Sequence, residues 1–222
     1  MKREWYAYLL WIVAAAVMGF TVAAIFAGML HLQRTLFLIP YTVLIGAFLY
    51  SYFHWSGVDL ANLIRHNWMW GLIGGVVLSF GLVNNVLSQP ASSTSSGLEL
   101  AFDLFWSGCV YGMLDGLLLS VLPVLATRQA FSAVGWNTTW QHKITAGVMA
   151  LAASTFVTAA YHLGYPEYYG PQLIGPVFGN SIISLGYLLT NNPITAIFSH
   201  IAMHVTAVLH GPATVVQLPP HY

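Results

Sequence analysis

Seven long apolar runs dominate this sequence and leave little else to fold. A hydrocarbon core of about 30 Å needs roughly 20 apolar residues per helix. The runs cover residues 5–30, 35–53, 68–87, 98–126, 144–163, 173–189 and 194–210, and polar breaks separate them. Strands of membrane barrels alternate apolar and polar residues, so unbroken runs of this kind are helices, which satisfy their backbone groups internally. Between the second and third runs, residues 55–67 mix Asp59, Asn62, Arg65 and His66 with Val58, Leu60, Leu63 and Ile64. Trp55 and Trp68 flank this stretch as belt anchors, so it reads as an interfacial segment. The expected fold is an all-α polytopic bundle of about seven membrane helices plus one interfacial segment.

Composition excludes several classes of function. The chain is 58% hydrophobic and 5% charged, whereas soluble domains carry about 25% charged residues. Too few charges remain to cover a soluble enzyme or to keep a chain disordered. A formal net charge of zero leaves no basic face for phosphates, so nucleic acid is not an expected partner. Cys109 is the single cysteine and forms no internal disulfide. The lipid bilayer is the first expected partner, and residues 1–222 read as one integral membrane domain. The run after Lys2 and Arg3 exceeds a signal-peptide core of about 7–15 residues, which points to an uncleaved first helix. With the amino terminus inside, Lys2, Arg3, Arg65, Arg128 and Lys143 lie inside and Arg34 alone lies outside, in accord with the positive-inside rule. The sequon Asn137-Thr138-Thr139 then falls inside, as a loop sequence.

An ionisable group inside a bilayer costs about 2.5–3.5 kcal/mol on insertion scales, so each one is a functional candidate. The candidates are Asp103 and Asp115 on the fourth run, His162 at the end of the fifth, and His200 with His204 on the seventh. His200 and His204 are spaced i, i+4 and project from one helix face, a spacing that lets two side chains of one helix share a metal or a water. Their bland alternative is a pair of buried imidazoles bonded to Ser199, Thr206 or backbone carbonyls. Asp103 is the expected carboxylate beside His162, His200 and His204. Asp115 lies twelve residues further on, about 120° around a 3.6-residue helix, and is expected to pair with a polar neighbour toward the inner side. Three imidazoles and a carboxylate suit the activation of water, with or without a zinc-like divalent metal on His162, His200 and His204. His31, His54, His66, His142, His210 and His221 read as helix-end or loop residues.

Gly108, Gly112 and Gly116 form a small-residue ridge on the fourth run, and Gly71 and Gly75 a shorter one on the third. Such ridges let another helix approach closely in lipid.

The stretch 158–211 resembles the CPBP family of intramembrane endopeptidases, the CaaX-protease and bacteriocin-processing type. Thr158-Ala159-Ala160-Tyr161-His162 lies where that family shows Phe-x-x-x-His, and His200-Ile201-Ala202-Met203-His204 where it shows His-x-x-x-Asn. Phe102-Asp103-Leu104-Phe105-Trp106-Ser107 can be laid on Glu-Glu-x-x-x-Arg, with Phe102 in place of the first glutamate. The resemblance covers about 98–211. It implies a membrane protease cleaving peptide bonds at or near the bilayer, with Asp103, His162, His200 and His204 as site residues and a membrane protein or peptide as substrate. Two other readings stay open. One is a non-catalytic relative acting as a scaffold or accessory subunit of a membrane complex. The other is a subunit that binds haem, pigment or metal through His200 and His204.

Overall fold

The computed structural model describes residues 4–211 and 217–219. Lys2, Arg3 and His221 lie outside the described residues. The described chain is helical, with no strand. Eight helices follow in order: α1 (Trp5–Met29), α2 (Arg34–Ser56), α3 (Leu60–Arg65), α4 (Trp68–Leu87), α5 (Gly97–Ala133), α6 (Trp140–His162), α7 (Ile174–Thr190) and α8 (Ile194–His210). Among the described residues, the six helices other than α3 and α8 are long and apolar enough to cross a membrane, α7 with the 3₁₀ turn at Pro171–Leu173 that leads into it. The seventh expected span is α8, apolar and 17 residues long. The protein is an all-α helical bundle of the membrane class.

The short helix α3 occupies the expected interfacial stretch. Asp59 caps it by accepting the Asn62 amide at 3.0 Å, which satisfies one of the amides that the first turn leaves open. Asn192, in the α7–α8 turn, donates to the Ile64 and His66 carbonyls at 2.8 and 2.5 Å. The interfacial segment is thereby tied to the bundle.

Helix α5 is the axis of the fold. Burial covers 78% of its apolar window, against 22–33% for the other spans. It also runs past the expected end at Ala126, through to Ala133. Two polar residues at that end find tertiary partners, since Arg128 donates to Asn191 and Gln129 accepts from the Tyr52 hydroxyl, while Thr127 bonds back to the Pro123 carbonyl of its own helix. Two π-helical segments, Leu104–Val110 and Gly116–Val121, flank the α-helical turn Tyr111–Asp115. Such segments widen the turn and shift which face each later residue presents.

The ridge on α5 packs as expected. A Cβ added at Gly112 would stand 2.9 Å from the Ile201 Cα and 3.1 Å from the His200 carbonyl carbon. One at Gly108 would meet Val205 at 2.8 Å, and one at Gly116 would meet Ile197 at 3.0 Å. Helix α8 thus lies backbone to backbone against α5, while Gly71 of α4 receives Asn192 of the preceding turn and Gly75 receives Phe198 of α8. This wedge sets His200 and His204 beside the middle of α5.

Candidate functional site

Asp115 ends the α-helical turn between the two π segments and is 4% exposed. Its Oδ1 accepts the Tyr41 hydroxyl at 2.5 Å, and its Oδ2 lies 3.5 Å from His204 Nε2. One ring nitrogen each of His200 and His204 and one oxygen of Asp115 lie within 4.8 Å of one another. All three residues are buried. This is the one group of three potential metal ligands among the described residues.

Hydrogen bonding fixes the form of His200. The Asn180 amide nitrogen lies 3.2 Å from the Leu119 carbonyl and 2.6 Å from Thr158 Oγ1. A backbone carbonyl can only accept, so the nitrogen faces Leu119 and the Asn180 oxygen faces His200 Nε2, at 3.1 Å. Nε2 therefore carries the proton and donates it. The Nδ1 lone pair is left buried, with no hydrogen-bond partner. A histidine whose second nitrogen donates to a carbonyl oxygen is held in the way metal ligands are held. Neither nitrogen of His204 makes a hydrogen bond, and its ring packs on Tyr111 with centroids 4.6 Å apart.

Ser120, Ser154 and Ser184 complete the surroundings of Asn180. Ser120 donates to its oxygen at 2.7 Å, Ser184 donates to Ser120 at 2.9 Å, and Ser154 and Ser184 lie 2.7 Å apart. Buried polar groups far from water need such partners. The network ties α5, α6 and α7 around the imidazole of α8.

On the other side of Asp115, Tyr161 lies 2.9 Å from Tyr111 and 2.7 Å from Tyr165, oxygen to oxygen. In the loop after α6, burial pushes the phenols of Tyr165 and Tyr168 up. They stay protonated hydrogen-bond donors at neutral pH.

The expected site residues separate into two groups. His200 and His204 meet each other. His162 lines the same cavity, a space of about 740 Å³, but does not belong to the close group of ligand atoms. Its Nδ1 lies 2.8 Å from the Thr158 carbonyl and donates to it, which leaves the Nε2 lone pair free of that bond. Of the expected metal set, the structure brings His200 and His204 together and leaves His162 outside the close group; the potential ligand atoms that converge are those of Asp115, His200 and His204. Asp103 stands apart as well. Its Oδ2 accepts from Ser95 at 2.8 Å near the start of α5, and it does not line the cavity. Twelve residues separate it from Asp115, roughly 18 Å of helix.

Asp115 does pair with a polar neighbour, Tyr41, while its place beside His200 and His204 is not expected from a count along a regular helix. Twelve residues of regular helix give a different face from twelve that cross a π segment. A usable signal was Gly112, one turn before Asp115, since close approach there brings a neighbouring helix to the carboxylate. Asn180 carried no sequence signal beyond being an amide in an apolar run.

Comparisons with protein-family models, curated proteins and solved structures return no match.

Proposed function

We propose that the protein is a membrane-embedded hydrolase of the CPBP type, acting on peptide bonds at or near the bilayer, with Asp115 in the carboxylate role. The observation that carries this reading is the convergence of Asp115, His200 and His204 on one buried point beside a cavity. Two imidazoles and a carboxylate with a further open position form a donor set of catalytic zinc sites. The 3.5 Å between His204 Nε2 and Asp115 Oδ2 is long for a charged hydrogen bond, and His200 Nδ1 and both nitrogens of His204 make no hydrogen bond, so these groups would be available to hold an ion. A zinc-like ion held there would supply Lewis acidity and a bound water that ionises near neutral pH.

The chain's own groups account for the remaining chemistry. Tyr41 fixes the rotamer of Asp115, and Asn180 fixes the tautomer of His200. His162 lines the cavity with its Nδ1–H held by the Thr158 carbonyl, and in this reading its Nε2 would take a proton from the attacking water and return it to the leaving amine. The lysine and arginine bias supports an amino terminus inside. Cysteine labelling at Ser93 and Asn137 from opposite sides, with Cys109 replaced, tests that orientation.

The deciding experiment measures metal content and peptide cleavage together in proteoliposomes. Asp115→Asn and His204→Ala should lose both the bound metal and the cleavage, while Asp103→Asn keeps both. Metal affinity should rise with pH through the histidine range near 6.5, because neutral imidazoles are the ligands. Cleavage that survives Asp115→Asn sinks the hydrolase reading. A well-folded protein that binds metal and cleaves nothing is a scaffold or accessory subunit instead.

A further inference from the structure

The cavity that holds the site does not end at the site. It continues between α4 and α7, and the packing of those two helices is uneven along their length. At one end they touch: a Cβ on Gly74 would lie 2.6 Å from Thr190, and one on Gly186 would run into Leu78. Toward the other end they part. A Cβ on Gly81 of α4 or on Gly179 of α7 would meet nothing within 4 Å. The walls of this fissure include Val77, Leu78, Leu82, Phe178, Ile182 and Ile183. Val77 and Phe178 are 65% and 66% exposed, so the fissure opens on the lipid-facing surface. The unpartnered, buried nitrogens of His200 and His204 stand on the same cavity.

We infer that this fissure is a lateral binding site for one acyl chain of a neutral or zwitterionic membrane lipid. Three properties select that occupant. The first is length. From Leu78 to the amides just beyond Leu87 the helix rises about 15 Å at 1.5 Å per residue, and one leaflet of a roughly 30 Å hydrocarbon core is about 15 Å deep. The second is width. The helices touch where Gly74 meets Thr190 and Gly186 meets Leu78, so the gap that widens from there suits a slender chain better than a helix about 10–12 Å across. The third is chemistry. The fissure walls named above carry no side-chain hydrogen-bonding group. An extended peptide lodged there would leave backbone amides and carbonyls unpaired, at several kcal/mol each, whereas a hydrocarbon chain loses nothing.

The polar end of the lipid has its own place. Asn85, Gln89, Gln172 and Gln217 gather at one end of the cavity, with Gln89 donating to Gln217 at 3.0 Å. These are neutral amides, and among the described residues no lysine or arginine lines the cavity. An anionic headgroup finds no counter-charge there. A lipid so bound blocks the route from the bilayer to Asp115, His200 and His204, so anything reaching the site from that side must displace it.

The test uses the full chain in liposomes that contain phosphatidylcholine with a photoreactive group at the end of one acyl chain. Cross-links mapped by mass spectrometry should fall on Leu82 and Ile183 inside the fissure more often than on Leu10 and Val13 of the outer surface. The double variant Gly81→Leu, Gly179→Leu fills open space and should fold as the parent does. It should lower labelling inside the fissure about tenfold, the factor that corresponds to about 1.4 kcal/mol, and leave the outer surface unchanged. Equal labelling inside and outside, or inside labelling that survives the plugged variant, overturns the proposal. A photoreactive peptide that labels Ile183 when the lipid does not also overturns it. A photoreactive phosphatidylglycerol that labels Ile183 better than phosphatidylcholine refutes the neutral headgroup. Asp115→Asn should cross-link like the parent, so loss of hydrolysis and loss of lipid binding are separate results.

Discussion

The α5–α8 and α4–α7 interfaces both carry glycines at helical spacing, yet they do opposite things. On α5, Gly108, Gly112 and Gly116 each meet the backbone or Cβ-branched residues of α8, and the helices close. Between α4 and α7, Gly74 and Gly186 close the pair at one end, while Gly81 and Gly179 face open space at the other. A missing side chain can bring two helices together or hold a gap between them. The first role builds the Asp115, His200 and His204 cluster, because it fixes how near α8 stands to α5. The second gives that cluster a route into the bilayer.

The largest expected effect tests the closed interface. Gly112→Leu forces a four-carbon side chain against the Ile201 Cα, where even a Cβ would lie at 2.9 Å. Overpacking of this kind costs about 1–3 kcal/mol and occasionally more, and here the obstacle is backbone that cannot rotate away. Thermal unfolding in detergent should show a lowered midpoint together with lost metal binding. A parent-like melt removes any packing role from the ridge.

Tyr41→Phe comes next. It removes the hydroxyl that donates to Asp115 at 2.5 Å and leaves a buried carboxylate oxygen with one fewer donor. Hydrogen bonds to charged groups contribute about 1.5–3 kcal/mol, so the melt should fall by a corresponding amount. An unchanged melting point would mean that Asp115 is not held as an anion by this contact. Asn180→Leu then removes the group that sets the His200 tautomer. Substitution of such outer partners typically weakens metal affinity about 10–100-fold. Titration with zinc should show that loss while the circular dichroism of the bundle stays helical.

Much of this arrangement was legible in the amino acids. Lipid forces backbone pairing within each segment, so apolar runs translate directly into helices, and Trp55 with Trp68 marked the interfacial stretch. The ridge at Gly108, Gly112 and Gly116 announced a close neighbour, and the spacing of His200 and His204 announced a shared point. What failed depended on tertiary partners. The end of α5 lay beyond Ala126 because Arg128 and Gln129 bond to Asn191 and Tyr52, contacts distant in sequence. Asp115 and not Asp103 stands beside His200 and His204 because the Gly112 contact places α8 opposite it, with the π segment Leu104–Val110 between the two carboxylates. Gly112 belongs to the ridge with Gly108 and Gly116, whereas Gly81 has no glycine three or four residues away, and the sequence does not say whether a neighbour or a gap lies beside it.

The smallest expected effect separates those two kinds of glycine most sharply. Gly147 on α6 and Gly81 on α4 both stand in helices with nothing within 4 Å of an added Cβ. Glycine in a helix interior is less favourable than alanine by roughly 0.5–1 kcal/mol, because its backbone loses more freedom on folding. Gly147→Ala and Gly81→Ala should therefore each raise stability by about that amount. Gly112→Ala should lower it, since its Cβ has no room. The sign, read from three melts in one detergent, is the test. If Gly81→Ala destabilises like Gly112→Ala, then α4 and α7 are in contact there and the fissure is closed. If it stabilises like Gly147→Ala, the glycine at 81 has no packing duty and the gap beside it is open.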